Sequence, residues 1–322
     1  MEKKNLLIYI PAFNEEDNIA NVIKKLPSSL DGINTISILV IDDGSQDSTR
    51  QVAAQAGAKV ISHPRNKGVG AAFHTSVKEA LNERVDILVG IDADGQFNPD
   101  EIPNLIAPIL HGTADMVTGN RFSNGKPKNM SAIKFWGNNA VSKLISFITE
   151  QRFQDVSCGY RAYSREALLW LNLFGEFTYT HETILDLVYK GLSVVEYPIE
   201  VKYFPERKSR VAKSLRRYAL QTIKIIFRTL IDYKSMRVFG AFGFLSFLIG
   251  TLFEVFLVGH YILNGAFSPY KSFGFIGLGF IIFGLFVFLF AFIADMINRL
   301  RKNQEVLLYE IKKDRENFLE KG

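Results

Sequence analysis

Between Leu6 and Thr118 the chain switches repeatedly between short continuous apolar runs and stretches in which apolar residues recur every three or four positions. Leu6–Ile10, Ile36–Ile41, Lys59–Ser62, Asp86–Ile91 and Asp115–Thr118 have the length and side-chain branching of buried strands. Ile19–Leu26, Asp47–Ala56, Gly68–Glu83 and Pro99–Leu110 read as helices between them. The last has a marked start: Asn98 can cap, Pro99 suits the first turn, and Glu101 lies three residues past the cap. Such alternation predicts βαβ units, and so an α/β domain whose mostly parallel sheet is covered by helices on both faces.

Beyond Arg121 the pattern loosens. Ile133–Thr149, Arg165–Asn172 and Glu182–Lys190 read as helices, and Ser193–Tyr197 returns to strand. In Lys213–Lys234, Arg217, Gln221, Lys224 and Arg228 recur at steps of four, three and four, opposite Leu215, Ala219, Thr222, Ile226 and Leu230. This is a basic amphipathic helix of the kind that lies in a membrane interface. Two apolar stretches follow, 238–263, broken only by Glu254 and His260, and 273–297, uncharged until Asp295. Each reaches the roughly 20 residues that cross a bilayer. Small residues Gly243, Ser246 and Gly250 share a face of the first with Glu254, and Gly277 and Gly284 of the second are their expected packing partners. Glu254 is costly in lipid and is expected to face protein. The tail 298–322 is charged and helix-forming, and Leu300, Leu307, Ile311 and Phe318 give a weak heptad seam that leaves homo-oligomerisation open.

Charge adds orientation. Lys202–Arg237 holds eleven Lys/Arg against two acids, a net +9, whereas the whole 322-residue chain is +5. An anionic partner is implied, and no aromatic-rich reading surface accompanies the charge, so a membrane surface is expected rather than nucleic acid. Lys234 and Arg237 precede the first span, Arg299, Arg301 and Lys302 follow the second, and the loop 264–272 holds only Lys271. The positive-inside rule then puts both head and tail in the cytoplasm of a multi-pass cell-membrane protein. Met1-Glu2-Lys3-Lys4 leads into a strand without the apolar core of a signal peptide. The single cysteine, Cys158, excludes an internal disulfide and reads as a packed residue rather than a nucleophile. Four segments are expected: a head over 1–212, a juxtamembrane helix over 213–237, two spans over 238–297, and the tail.

The chemistry gathers at strand ends. Asp92-Ala93-Asp94-Gly95-Gln96 follows the strand 86–91, and two carboxylates with an amide oxygen suit Mg²⁺ or Mn²⁺. Pro11-Ala12-Phe13-Asn14-Glu15-Glu16, Asp42-Asp43-Gly44-Ser45, Gly119-Asn120-Arg121 and Asp155–Arg161 are placed likewise. Each alone is ordinary turn chemistry. Together, at the carboxyl ends of a parallel sheet, they mark a ligand site.

These motifs in this order, with Pro99, Phe122, Gly159 and Glu182 before Tyr197-Pro198-Ile199, resemble the inverting glycosyltransferase family 2 over about the first 215 residues. Within it the likeness is to polyprenyl-phosphate (dolichol-phosphate) sugar synthases. The resemblance implies a nucleotide-sugar-binding GT-A head, Rossmann-like, followed by the interfacial helix and two transmembrane helices. It implies that Pro11, Phe13, Glu15, Asp43 and Asp92 hold the nucleotide sugar, and that Asp92, Asp94 and Gln96 hold the metal. Arg121, Lys134, Asn138, Arg207 and Lys213 would hold the acceptor phosphate, and Asp94, Arg121, Asp155 and Arg161 carry catalysis. The chain departs from the usual pattern at Arg207–Lys213, where Gly and Ser have become Arg210 and Ala212.

The expected activity is inverting transfer of a hexose from a UDP- or GDP-linked sugar to a polyprenyl (dolichyl or undecaprenyl) phosphate, at the cytoplasmic membrane face. Two alternatives stay open: transfer to a diacylglycerol or ceramide hydroxyl with Asp155 as base, and a non-catalytic membrane scaffold. A processive polysaccharide synthase is disfavoured, because the Gln-x-x-Arg-Trp motif is absent and two spans do not make a channel.

Overall fold

A computed structural model of the chain describes residues 3–172, 179–203 and 215–320, with side chains throughout except at 215–226, 228–230, 232 and 316–320. It divides into two compact units, Met1–Thr222 with Tyr309–Gly322, and Ile223–Leu308.

The first unit is built on seven strands: β1 (Lys4–Ala12), β2 (Ile33–Asp42), β3 (Lys59–Ser62), β4 (Ile87–Gly90), β5 (Met116–Asn120), β6 (Arg161–Ser164) and β7 (Val194–Pro198). Their order across the sheet is β3-β2-β1-β4-β6-β5-β7. All pairings are parallel except those of β6, which runs antiparallel to both β4 and β5. That reversal decides the site, because it brings the start of β6 to the edge where the other strands end. The sequence pattern showed no strand at 161–164: four residues beginning with Arg carry too little period to register.

The central strands are buried on both faces, as parallel strands under helices must be. Leu6 to Ile10 of β1 and all four residues of β4 are buried. Leu6, Ile8, Ile10 and Val89 pack with Ile19, Val22 and Ile23 of α1 (Ile19–Lys24) and with Ile102, Leu105 and Ile106 of α4 (Ile102–Leu110). On the other face, Tyr9 meets Phe73 of α3 (Val69–Asn82) with ring centroids 5.9 Å apart. The remaining helices of this unit are α2 (Thr49–Gln55), α5 (Ala132–Thr149), α6 (Arg165–Trp170) and α7 (Thr180–Tyr189). Pro99–Glu101 forms a short 3₁₀ turn ahead of α4, with Asn98 Oδ1 accepting from the Asp100 N–H at 3.2 Å as expected. Glu101 instead accepts the Glu200 N–H at 2.9 Å, so it ties the turn to the strand edge beyond β7.

The second unit holds most of α8 (Leu215–Asn264), kinked at Lys234, and of α9 (Lys271–Glu320). Both are long and apolar enough to cross a membrane. They pack through the expected small residues. A Cβ on Gly250 would lie 2.5 Å from Gly277 O, and one on Gly243 would lie 2.9 Å from Gly284 O. Ser246 Oγ donates to Phe280 O at 2.9 Å. Glu254 faces the second helix, its Oε1 2.9 Å from where a Gly277 Cβ would sit. The basic and apolar stripes expected over 213–234 rest on side chains outside those described, as do Arg207 and Lys213.

Candidate active site

Loops from the ends of β1, β2, β4 and β5 and from the start of β6 meet along one edge of the sheet. The β1 and β2 loops are laced together. The Asn14 N–H donates to Ser45 Oγ at 2.9 Å and the Gln46 N–H returns to Asn14 Oδ1 at 2.9 Å, with Asn14 held at φ 52. Glu15 is buried, its N–H on Thr49 Oγ1 at 2.8 Å and its carboxylate accepting from Asn18 Nδ2 at 3.1 Å. Asp43 is buried too. It accepts the N–H groups of Lys67 (3.0 Å) and Gly68 (2.7 Å) and meets His63 Nδ1 at 2.7 Å. Its carboxylate therefore anchors the 63–68 loop to the end of β2, whose Asp43 N–H in turn donates to Ala12 O of β1 at 2.8 Å. Gly44 permits this closeness: at φ 76, a Cβ there would lie 2.6 Å from the Arg65 carbonyl carbon.

Asp92 and Asp94 sit two and four residues past β4, both half-buried. Asp94 Oδ1 accepts the Gln96 N–H at 3.0 Å, turning the loop at Gly95 (φ 71). Gln96 is also half-buried, and its carbonyl accepts the Lys202 N–H at 3.0 Å. Hard oxygen donors on a partly open loop fit a cation that takes one or two protein carboxylates and completes its shell with water and phosphate. Among the described residues no group of three or more His, Cys, Asp or Glu is placed to hold a metal without such help.

Arg121 and Asp155 form the other centre. Arg121 Nε and Nη2 donate to Asp155 Oδ2 and Oδ1 at 2.6 and 2.8 Å, and the Arg121 N–H adds a third bond at 3.2 Å. Nη2 also reaches Ser157 Oγ (2.7 Å) and Nη1 reaches Tyr203 Oη (3.2 Å). Burial alone would raise the Asp155 carboxyl, but the guanidinium beside it holds it below the usual carboxylate range. These bonds to described residues use four of the five guanidinium protons and leave one on Nη1. Ser157 Oγ donates in turn to Asn138 Oδ1 of α5, so Asn138 joins this cluster. Lys134, one turn earlier, is exposed.

Arg161 is elsewhere. It is fully buried, donating to Cys158 O (2.7 Å), Val156 O (2.9 Å), Thr180 O (2.7 Å) and Thr183 Oγ1 (2.6 Å). It ties the start of β6 to α7 beneath the site. Burial pushes the Cys158 thiol up to about 12, which keeps it protonated and agrees with a packing role. Ser157 and Tyr203, which hold Arg121, were not singled out as site residues by the sequence. Ser157 lies inside a quoted motif, whereas nothing local marks Tyr203.

A family model, Glycosyl transferase family 2, matches residues 7–170. The UDP-N-acetylglucosamine–dolichyl-phosphate N-acetylglucosaminyltransferase of Methanococcus voltae is 33% identical over 224 residues, 63% of this chain and 88% of that one. Glycosyltransferase AglJ of Haloferax volcanii is 25% identical over 307 residues, 94% and 97% of the two chains. The polyprenol monophosphomannose synthase of Mycolicibacterium smegmatis is 29% identical over 218 residues, 64% and 80%. Among solved structures, glucosyl-3-phosphoglycerate synthase of Mycobacterium tuberculosis with Mn²⁺, UDP-glucose and phosphoglyceric acid shares the fold. Its TM-score is 0.56 at 23% identity, over 70% of this chain and 79% of that one. On its motifs, its sheet and these relatives, the chain belongs to glycosyl transferase family 2.

Proposed function

We propose that the protein transfers a hexose, with inversion, from a nucleotide sugar to polyprenyl phosphate at the cytoplasmic face of a membrane. The observation that carries this reading is the commitment of Asp155. Transfer to a hydroxyl needs a general base. Asp155 was the candidate, and it is fully buried, ion-paired through two bonds to Arg121, and held low in pKa. A phosphate monoester needs no base, since its second pKa is roughly 6 and it arrives as an anion. The remaining work is to screen charge, align the phosphate oxygen behind the anomeric carbon and stabilise the departing diphosphate.

Asp92 and Asp94, with Gln96, would hold Mg²⁺ or Mn²⁺. When bound, the cation neutralises charge on the leaving nucleoside diphosphate. The β1 and β2 loops, with Pro11, Phe13, Glu15 and Asp43, bind the nucleoside. Arg121, its plane fixed by Asp155, Ser157 and Tyr203, offers its remaining Nη1 proton to the acceptor phosphate, and Asn138 steadies Ser157. Arg207 and Lys213, outside the described residues, and the exposed Lys134 would add positive charge for the same phosphate. The outer face of α5 supports a lipid-borne acceptor: Ile133, Trp136, Leu144 and Phe147 are exposed at 66%, 66%, 41% and 82%, a stripe suited to a bilayer surface. Head and tail in the cytoplasm, and segment limits at 212, 237 and 297, go with the same proposal. The named activities of the archaeal and mycobacterial relatives, on dolichyl phosphate and polyprenol, point the same way.

The test is transfer of label from nucleotide sugars, in purified protein with Mn²⁺, to polyprenyl phosphate or to diacylglycerol. Label in polyprenyl phosphate, abolished by Asp94→Ala, is expected. Label in diacylglycerol alone would refute the acceptor, and undiminished turnover by the variant would refute the metal role.

A further inference from the structure

Directly below the acidic loop lie two phenols that the chemistry above does not use. Tyr9 of β1 and Tyr179, just before α7, are 1% and 2% exposed, and Tyr9 Oη donates to Tyr179 Oη at 3.0 Å. Phe73 walls the pair in, stacked on Tyr179 with centroids 4.2 Å apart and an interplanar angle of 16°. Two glycines leave the room in which the pair sits, and the second also borders Asp92. Gly90, the last residue of β4, packs its backbone on the Tyr9 phenol: a Cβ there would lie 2.5 Å from Cε1 and 2.6 Å from Oη. At Gly159 a Cβ would lie 3.3 Å from Asp92 Oδ1, 3.6 Å from Oδ2 and 3.7 Å from Tyr179 Oη. The carboxylate and the phenol therefore border the same slot, which only glycine leaves open.

A buried phenol must place its proton on an acceptor. Tyr9 gives its proton to Tyr179, so Tyr179 must give its own onward. Its acceptor is Gly159 O, at 3.5 Å, the limit of hydrogen-bond length. Gly159 in turn lies against the Asp92 carboxylate, so the phenol pair reaches Asp92 through the Gly159 backbone.

We propose that Tyr9 and Tyr179 are positioning residues, a buried phenol pair that braces the Gly159 backbone and through it holds the Asp92 carboxylate in its cation-binding orientation. This rests on the metal reading above. Groups that orient a metal ligand from behind typically change metal affinity by about 10–100-fold.

The test is direct titration of the purified full-length protein with Mn²⁺, read from the paramagnetic resonance signal of the free ion, with thermal unfolding without metal as the fold control. Asp92→Ala and Asp94→Ala should lose the site. Tyr179→Phe should weaken Mn²⁺ binding about tenfold, and Tyr9→Phe about threefold, as expected for one hydrogen bond further back. The double variant should be no weaker than Tyr179→Phe alone, because the two act in series. Gly159→Ala, which pushes on the carboxylate directly, should also weaken binding and serves if Tyr179→Phe does not fold. Tyrosine variants that bind Mn²⁺ within a factor of about two of wild type, while Asp92→Ala does not bind, would overturn the positioning role and leave the metal reading standing. A wild-type protein that binds no Mn²⁺ would overturn both.

Discussion

Replacing Asp155 by Asn separates a structural counter-ion from a general base. Asp155 is fully buried and accepts three hydrogen bonds from Arg121, at 2.6, 2.8 and 3.2 Å. Asn keeps the shape but removes the charge, and its amide turns a donor toward Arg121. Breaking a buried pair on one side costs about 3–5 kcal/mol. The Arg121 side chain retains 14% exposure, so the lower end, about 3 kcal/mol, applies. For a unit of this size that lowers Tm by about 6–12 °C. Thermal unfolding of purified protein measures the loss, and sugar transfer to polyprenyl phosphate measures activity. Adding Arg121→Gln removes the uncompensated charge, so the double variant should regain most of the stability while transfer stays lost. A base would behave otherwise: Asp155→Asn would fold with wild-type stability and fail only in turnover. That result, or a double variant no more stable than the single, would refute the counter-ion reasoning. The pH signature follows from the same pair. With its folded pKa below the unfolded value of about 3.9, Asp155 contributes its full stability above that pH and loses it as pH falls through the folded pKa.

Three further outcomes are expected. Burial lowers the pKa of His181 to about 4, with Arg161 adding to the effect, so stability should fall as pH drops from about 6.5 toward 4 while only the unfolded chain takes up the proton; His181→Gln should flatten that limb in acid-unfolding scans. Gly250→Leu should disrupt the pairing of the two apolar helices, where even a Cβ would lie 2.5 Å from a backbone oxygen, and lower Tm by an amount equivalent to about 1–3 kcal/mol, whereas Gly259→Leu, where a Cβ would meet nothing within 4 Å, should not. Lys312 Nζ donates to Leu169 O, Leu171 O and Asn172 Oδ1 at 2.9, 2.9 and 3.0 Å, closing the end of α6, so Lys312→Met should cost about 1–3 kcal/mol and speed limited proteolysis near residue 172.

The sequence by itself determined the alternation of strands and helices, the acidic loop after β4, the two apolar helices and the small-residue seam between them. These are local signals: period, run length, and side-chain size at fixed steps along a helix. It could not determine the direction of β6, since a four-residue strand takes its partners from the sheet and not from its own pattern. That direction brings Asp155 and Ser157 to Arg121. Nor could it separate the two arginines of the motifs. Arg121 lies in the cluster at the strand ends, with one Nη1 proton left over by its described hydrogen bonds, whereas Arg161 is consumed by three carbonyls and a hydroxyl below the site. Tyr9 and Tyr179 lie 170 residues apart in the chain, one in an apolar strand and one beside a helix start. Only the packed sheet sets their hydroxyls against each other under Asp92, because burial leaves a phenol proton no water to turn to.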